Sequence, residues 1–466
     1  MTLVLIIDAV VICLILGCAF LKGLERTLPL IAFLLMLFPY ESQVTLTGYF
    51  DLTTQRLIVI LTFLLYVFSS EAKERGKLPL RNTIFFLMAW MLIASAFSVV
   101  FVTSIKSVLS EFFDFFLIYY IFAKSITRTE TVRKIMYGFV ASMVVCSLLG
   151  IAETYWNWSV MGLFPEVYHR FANLLGAVPD RSDRVQTTFG HAILFGAALA
   201  MTIPMGLYLI SVSKTAKQKV FLWTATMLMI LNLYKTTSRG PWLAAALSMA
   251  VVLLSGGRQI RRYVMWIGAL AVIALLARPG IWETIANLYS QTLTPESVQG
   301  SSYEWRYALY DQAFLHLNHD FWRALWGYGP ESFFFLGWKG LFQGQIVPFE
   351  SCDSSIAQLM IETGYVGFLL AISVFLIAGY KAFRYSLKIP KPANLPCVVL
   401  FVNICAFVFL MTNVAILGWG QQSYMAWIVI AMAMIYPGLL EKEGAVAEEP
   451  ATESPVMERR LAEVLR

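Results

Sequence analysis

The chain has 466 residues and is 59% hydrophobic and only 14% charged, with a mean hydropathy of +0.69. A soluble chain of this length sits nearer half apolar and a quarter charged, which excludes an ordinary globular enzyme. A polytopic, all-α membrane bundle is indicated instead, and the formal charge of +6 adds only attraction to anionic headgroups, with nothing that calls for nucleic acid.

Apolar runs of about 20 residues are needed to cross a bilayer. In chain order the predicted spans are 2–20, 27–41, 54–70, 82–101, 107–123, 133–152, 190–211, 219–234, 241–256, 263–278, 353–379, 394–416 and 423–439. The first contains Asp8 and lacks a basic flank, so it reads as an anchor rather than a cleaved signal. Of the 35 Lys and Arg, 20 fall in every second gap, from Lys22 and Arg26 to Lys388 and Lys391, and 4 more in the tail. The positive-inside rule makes those gaps cytoplasmic, with the N-terminus outside and the C-terminus inside. The other 11 lie on the outer side and form the short list for an anionic ligand.

The organisation that follows is spans one to six over 1–152, an outer loop over 153–189 and spans seven to ten over 190–278. A large outer loop over 279–352, spans eleven to thirteen over 353–440 and a Glu-rich tail over 441–466 complete it. The tail is expected to be disordered. The large loop is too long to lack elements of its own. Within it, Tyr307, Tyr310, Phe314 and Leu317 recur at helical spacing, predicting an amphipathic helix against the bilayer surface.

Ionisable residues inside the spans are scarce, Asp8, Glu111 and Asp114 being the obvious ones, which argues against an ion-driven carrier. Chemistry is better sought at the outer helix ends. Arg184 lies just before the seventh span, in a stretch ending Thr187-Thr188-Phe189-Gly190-His191. Lys235 and Arg239 occupy a short outer turn that Gly240 and Pro241 would break without any cation. They either snorkel toward lipid phosphates or clamp a pyrophosphate, whose oxygens suit paired guanidinium hydrogen bonds.

In the large loop come Arg306, beside Trp305, and then Gly327-Tyr328-Gly329, which reads as a turn because no strand precedes it. His316 and His319 lack a third ligand, so no metal site is expected. The loop's aromatics, Trp305 and Tyr328 among them, are interfacial anchors or platforms for sugar rings. Asp353, followed by Ser354 and Ser355, is an N-cap for the eleventh span, a general base on a hydroxyl, or both. Of six Cys only Cys352 is predicted outside, so no disulfide framework is implied.

Three segments together resemble the bacterial O-antigen polymerase and O-antigen ligase superfamily. They are the Arg184 stretch through His191, Thr237-Ser238-Arg239-Gly240, and the loop running from Arg306 through Gly327-Tyr328-Gly329 to Asp353 and Glu362-Thr363-Gly364. The order and spacing agree from about residue 180 to 380. The resemblance implies metal-independent transfer of undecaprenyl-diphosphate-linked glycan, without a cofactor, at the outer leaflet of the inner membrane. Arg184, Arg239 and Asp353 would be the catalytic group, and Lys235, Arg306, His191, Glu362, Trp305 and Tyr328 would contact substrate. A flippase and a chain-length regulator are the implied partners. Ligases of this family carry His-Asn near the end of the large loop. Here Cys352-Asp353 or Asp353-Ser354 stands there, which favours a polymerase, with a ligase as the alternative. A lipid-linked sugar exporter is a rival reading, but internal repeats and a charged mid-membrane path are missing from the sequence.

Overall fold

The computed structural model describes residues 2–45, 51–69, 77–164, 184–255, 257–277, 298–342, 344–349, 351–418 and 420–448, with isolated positions between 280 and 290. It is helical almost throughout. In chain order we number α1 (Thr2–Lys22), α2 (Leu24–Leu37), α3 (Thr54–Phe68), α4 (Arg81–Ala96), α5 (Phe101–Glu111), α6 (Leu117–Ser125) and α7 (Thr129–Trp156). There follow α8 (Ala192–Val212), α9 (Ala216–Lys235), α10 (Arg239–Ser255), α11 (Arg258–Ala277), α12 (Val298–His319) and α13 (Phe321–Trp326). The last three are α14 (Ser355–Lys388), α15 (Leu395–Met411) and α16 (Gly420–Glu448).

Each predicted span coincides with one of these helices, or, for 107–123, with α5 and α6 joined by a π-turn over Phe112–Phe116. Among the described residues six helices are long and apolar enough to cross a membrane: α1, α7, α8, α11, α14 and α16. Four shorter apolar helices, α3, α4, α10 and α15, pack among them. The protein is a polytopic helical membrane bundle. Its centre is α8, nearly all of it buried against α7, α9, α10 and α15. The tail departs from expectation in that α16 runs unbroken through 441–448; residues 449–466 lie outside the described set.

The gaps that charge assigns to one side meet one another in space. At one end, Glu25 accepts hydrogen bonds from the Thr127 and Arg128 amides, and Asn394 donates to Ser255. At the opposite end, the Val185 amide donates to Lys235 and the Val99 amide to Tyr328. Each of these contacts joins two gaps that the charge alternation assigns to the same side.

Two of the rare intramembrane charges have structural partners. Arg56 grips Asp114 through Nε and Nη2 at 2.8–3.1 Å, Tyr424 Oη donates to the same carboxylate at 3.1 Å, and Thr54 Oγ1 donates to Asp8 at 2.8 Å. The Arg56 fork enters the π-turn, where the widened helix leaves Asp114 turned inward. Arg56 belonged to the outer cation short list; its place in this ion pair makes it a bolt between α3, the π-turn and α16.

The large outer loop forms a small unit of its own. Helix α12 exists as predicted, but its buried face carries Leu309, Ala313 and Leu317. Tyr307 and Phe314 point outward instead, because the loop's own hydrophobic cluster, not the bilayer, takes the inner face. A hairpin pairs Lys339–Phe342 (β1) with Gln345–Pro348 (β2), and a second small hairpin pairs Gln43–Thr45 (β3) with Asp51–Thr53 (β4). All six cysteines are free thiols, and burial pushes the Cys352 thiol well above its ordinary pKa.

Candidate functional site

Four outer segments converge near the start of α14. Arg184 Nη2 donates to the Thr237 carbonyl at 3.2 Å, which ties the stretch before α8 to the turn before α10. Arg239 is the first residue of α10, so its guanidinium stands at a helix N-terminus whose dipole also favours an anion. Arg306, on α12, lies near enough for its positive charge to act on Arg239. Arg306 in turn donates through Nε to the Asp353 carbonyl at 3.3 Å and through Nη1 to the Ser302 carbonyl at 3.1 Å. These contacts link Arg184, through Thr237, to the turn that carries Arg239, and link Arg306 to both Arg239 and Asp353.

The cap reading of Asp353 is corrected. Ser354 is the N-cap of α14: its Oγ accepts from the Ala357 amide at 3.3 Å and bonds Tyr310 Oη at 2.6 Å. The Asp353 carboxylate accepts from Ser351 Oγ at 3.0 Å and stays half-exposed, as a proton acceptor would need to be. Burial raises the Tyr310 hydroxyl's pKa above the ordinary value, so it remains a neutral donor beside the cap.

The remaining candidates have contacts of other kinds. His191 is the N-cap of α8, its Nδ1 accepting from the Ile193 amide at 3.3 Å. The Lys235 ammonium lies 6.0 Å over the Tyr155 ring at the end of α7. Trp305 is wedged edge-on between Phe342 and Phe349, and Tyr328 packs edge-on against Trp338. Glu362 is buried in α14, where Gln358 Nε2 donates to it at 3.1 Å and the charges acting on it most are Glu331 and Glu111. His316 stacks flat on Trp338, its centroid 4.2 Å away, and burial lowers its pKa. Among the described residues no three His, Cys, Asp or Glu side chains are placed to hold a metal ion.

One positioning residue escaped the sequence reading. Glu153 ends α7, where the helix dipole disfavours an acid, and that was its available signal. Its Oε2 accepts from the Gln186 and Thr187 amides at 2.9 and 3.0 Å, and Oε1 from Ser159 Oγ at 3.0 Å. It therefore staples the segment that carries Arg184. Glu153→Ala uncovers two amides at a cost of about 1–3 kcal/mol each and frees that segment. We expect about a ten-fold loss of transfer that largely disappears in the Arg184→Ala background, since both changes act through one guanidinium. Additive losses in that double-mutant cycle would refute the stapling role.

Residues 224–372 match the family model described as O-antigen ligase. The matched segment runs from mid-α9 to mid-α14 and contains Arg239, Arg306 and Asp353, while Arg184 and Glu153 precede it. No curated protein matches the chain. Over those residues the chain is similar to the O-antigen ligase family, whose members are membrane glycosyltransferase-like enzymes.

Proposed function

We propose that the protein polymerises undecaprenyl-diphosphate-linked oligosaccharide units into a surface polysaccharide at the outer leaflet of a bacterial inner membrane, its N-terminus outside. The observation that carries this reading is the nearness of Arg306 to Arg239, with Arg306 hydrogen-bonded to the Asp353 carbonyl. Two like charges held together repel, and a bound diphosphate turns that cost into attraction. Arg184 and Arg239 neutralise the diphosphate as its bond to the sugar breaks, and Arg306 assists from the loop. The Asp353 carboxylate accepts the proton of the attacking sugar hydroxyl on a second lipid-linked unit. A glycosidic bond forms, undecaprenyl diphosphate leaves, and the anomeric carbon inverts in a single displacement. The guanidiniums supply the charge that a divalent cation would otherwise bring, so the reaction is proposed to be metal-independent. A flippase that delivers the units and a chain-length regulator are the partners such a reaction implies.

The family description favours a ligase as the second reading, with the grown glycan passed to another acceptor. Polysaccharide gels from a deletion strain complemented with wild type or Asp353→Ala separate the two, given equal protein in the membrane. Loss of the long-chain ladder with single units retained supports polymerisation, by about 100-fold or more if Asp353 is the general base. Full-length polymer left on its lipid carrier points to the ligase. A wild-type ladder from Asp353→Ala removes that residue from the mechanism.

A further inference from the structure

A cleft of about 340 Å³ opens between the end of α4 and α13. Phe97, Trp322 and Trp326 wall it, and Asp320 and Arg323 edge it. The rings form one column: Phe97 stacks on Trp326 at 4.3 Å and 14°, and Trp322 on Trp326 at 4.8 Å and 19°. We propose that this cleft binds sugar residues of the glycan substrate, as a subsite distinct from the diphosphate clamp. The proposal rests on the reading that the substrate is a lipid-linked glycan.

The cleft is held open before any ligand arrives. Asp320 Oδ1 caps α13 by accepting from the Trp322 amide at 2.9 Å. Arg323 Nη1 donates to the Phe97 carbonyl at 2.9 Å and to the Gly327 carbonyl at 3.1 Å, locking α4 to the loop. Its guanidinium also lies 4.7 Å from the Tyr328 ring centroid. Trp322 nevertheless remains 56% and Phe97 49% exposed, a large aromatic area left uncovered.

The mixture of groups selects the occupant. A pyranose offers a C–H face to an aromatic wall and hydroxyls to a carboxylate and a guanidinium. Acyl chains would desolvate Asp320 and Arg323 with no hydrogen bonds in return, and a lipid phosphate would meet the Asp320 charge. The volume lies near the lower end for small-ligand sites, about 300 Å³, and so suits one or two sugar rings. Between this cleft and the arginines runs Ser355–Thr363 of α14, about 12 Å of helix. A glycan anchored by its diphosphate at Arg239 would reach the cleft with its more distal sugars.

The test uses the full-length protein in nanodiscs and, as probe, the oligosaccharide released by mild acid from the producing strain's lipid-linked glycans, which carries no diphosphate. Saturation-transfer NMR and titration should show binding to wild type and unchanged binding to Arg239→Ala. Trp322→Ala should weaken binding about three- to ten-fold, with Trp322→Phe restoring most of it. Arg323→Gln, which retains all three rings but removes the guanidinium, should also weaken it. Absent binding to wild type, full binding to Trp322→Ala, or quenching of Trp322 by brominated acyl chains would each overturn the subsite. A failure of the proposed transfer reaction is read separately: Arg239→Ala would then leave the product unchanged while the probe still bound.

Discussion

Replacing Arg239 by alanine is expected to lower glycan transfer by about 100- to 1,000-fold, the usual loss when one preorganised donor to a developing anion is removed. Three features of its position make it the most sensitive of the cations. It begins α10, so the helix dipole adds to its own charge. It shares its space with Arg306, and it neighbours Thr237, whose carbonyl receives Arg184. Arg239→Lys should recover only part of the rate, because an ammonium is a point charge and cannot fork across two oxygens.

Lys235→Ala provides the contrast. That ammonium lies over Tyr155, so the change should cost only a few-fold. Initial rates of transfer from a lipid-linked donor, with purified protein in liposomes, measure all three. A loss below about three-fold for Arg239→Ala would remove the clamp from the mechanism.

What the sequence revealed, and what it withheld, follows from the range of the forces involved. The spans were legible because a bilayer demands long apolar runs and internally satisfied backbone whatever the tertiary contacts. The arginines were legible because cations on the outer side defy a topological bias. The cap was not: Asp353, Ser354 and Ser355 are three adjacent capping residues, and only the register of α14 selects Ser354. That selection leaves the Asp353 carboxylate available.

Contacts between distant segments were equally hidden. Arg56 and Asp114 are 58 positions apart and become a pair only through the π-turn. The resemblance makes Glu362 a substrate contact, and nothing in the sequence announces that the charges of Glu331 and Glu111 act on it. Trp305 and Tyr328 were legible as outer aromatics, but the hairpin and the loop helices that enclose them have no periodicity long enough to announce the packing.

The largest structural effect is expected from Gly364, where α14 breaks with φ 67° and ψ −176°, a region essentially reserved for glycine. The break removes helical partners from the preceding carbonyls, and each finds another donor. The Tyr328 amide donates to Ile361 and the Gly329 amide to Glu362, both at 2.9 Å, and Trp90 Nε1 donates to Thr363 at 2.9 Å. The Gly327-Tyr328-Gly329 turn is therefore the complement of the break, and it fits only because both backbones lack side chains where they touch. A Cβ on Gly364 would strike the Leu325 carbonyl, and one on Gly327 would lie 2.6 Å from the Ile361 oxygen.

Gly364→Ala should thus combine about 1–3 kcal/mol of backbone strain with a collision that neither backbone can yield to. The loop bearing Arg306 and Asp353 would then lose its seat on α14, and transfer should fall below about 1% of wild type. Gly337→Ala is the control for strain alone, since its φ is 62° but nothing lies within 4 Å of an added Cβ. It should cost about 1–2 kcal/mol of local stability and leave transfer nearly intact. Limited proteolysis of the loop, read beside transfer rates at matched membrane levels, distinguishes the two. A Gly364→Ala protein with a protease-resistant loop and normal transfer would mean that this backbone contact does not hold the site.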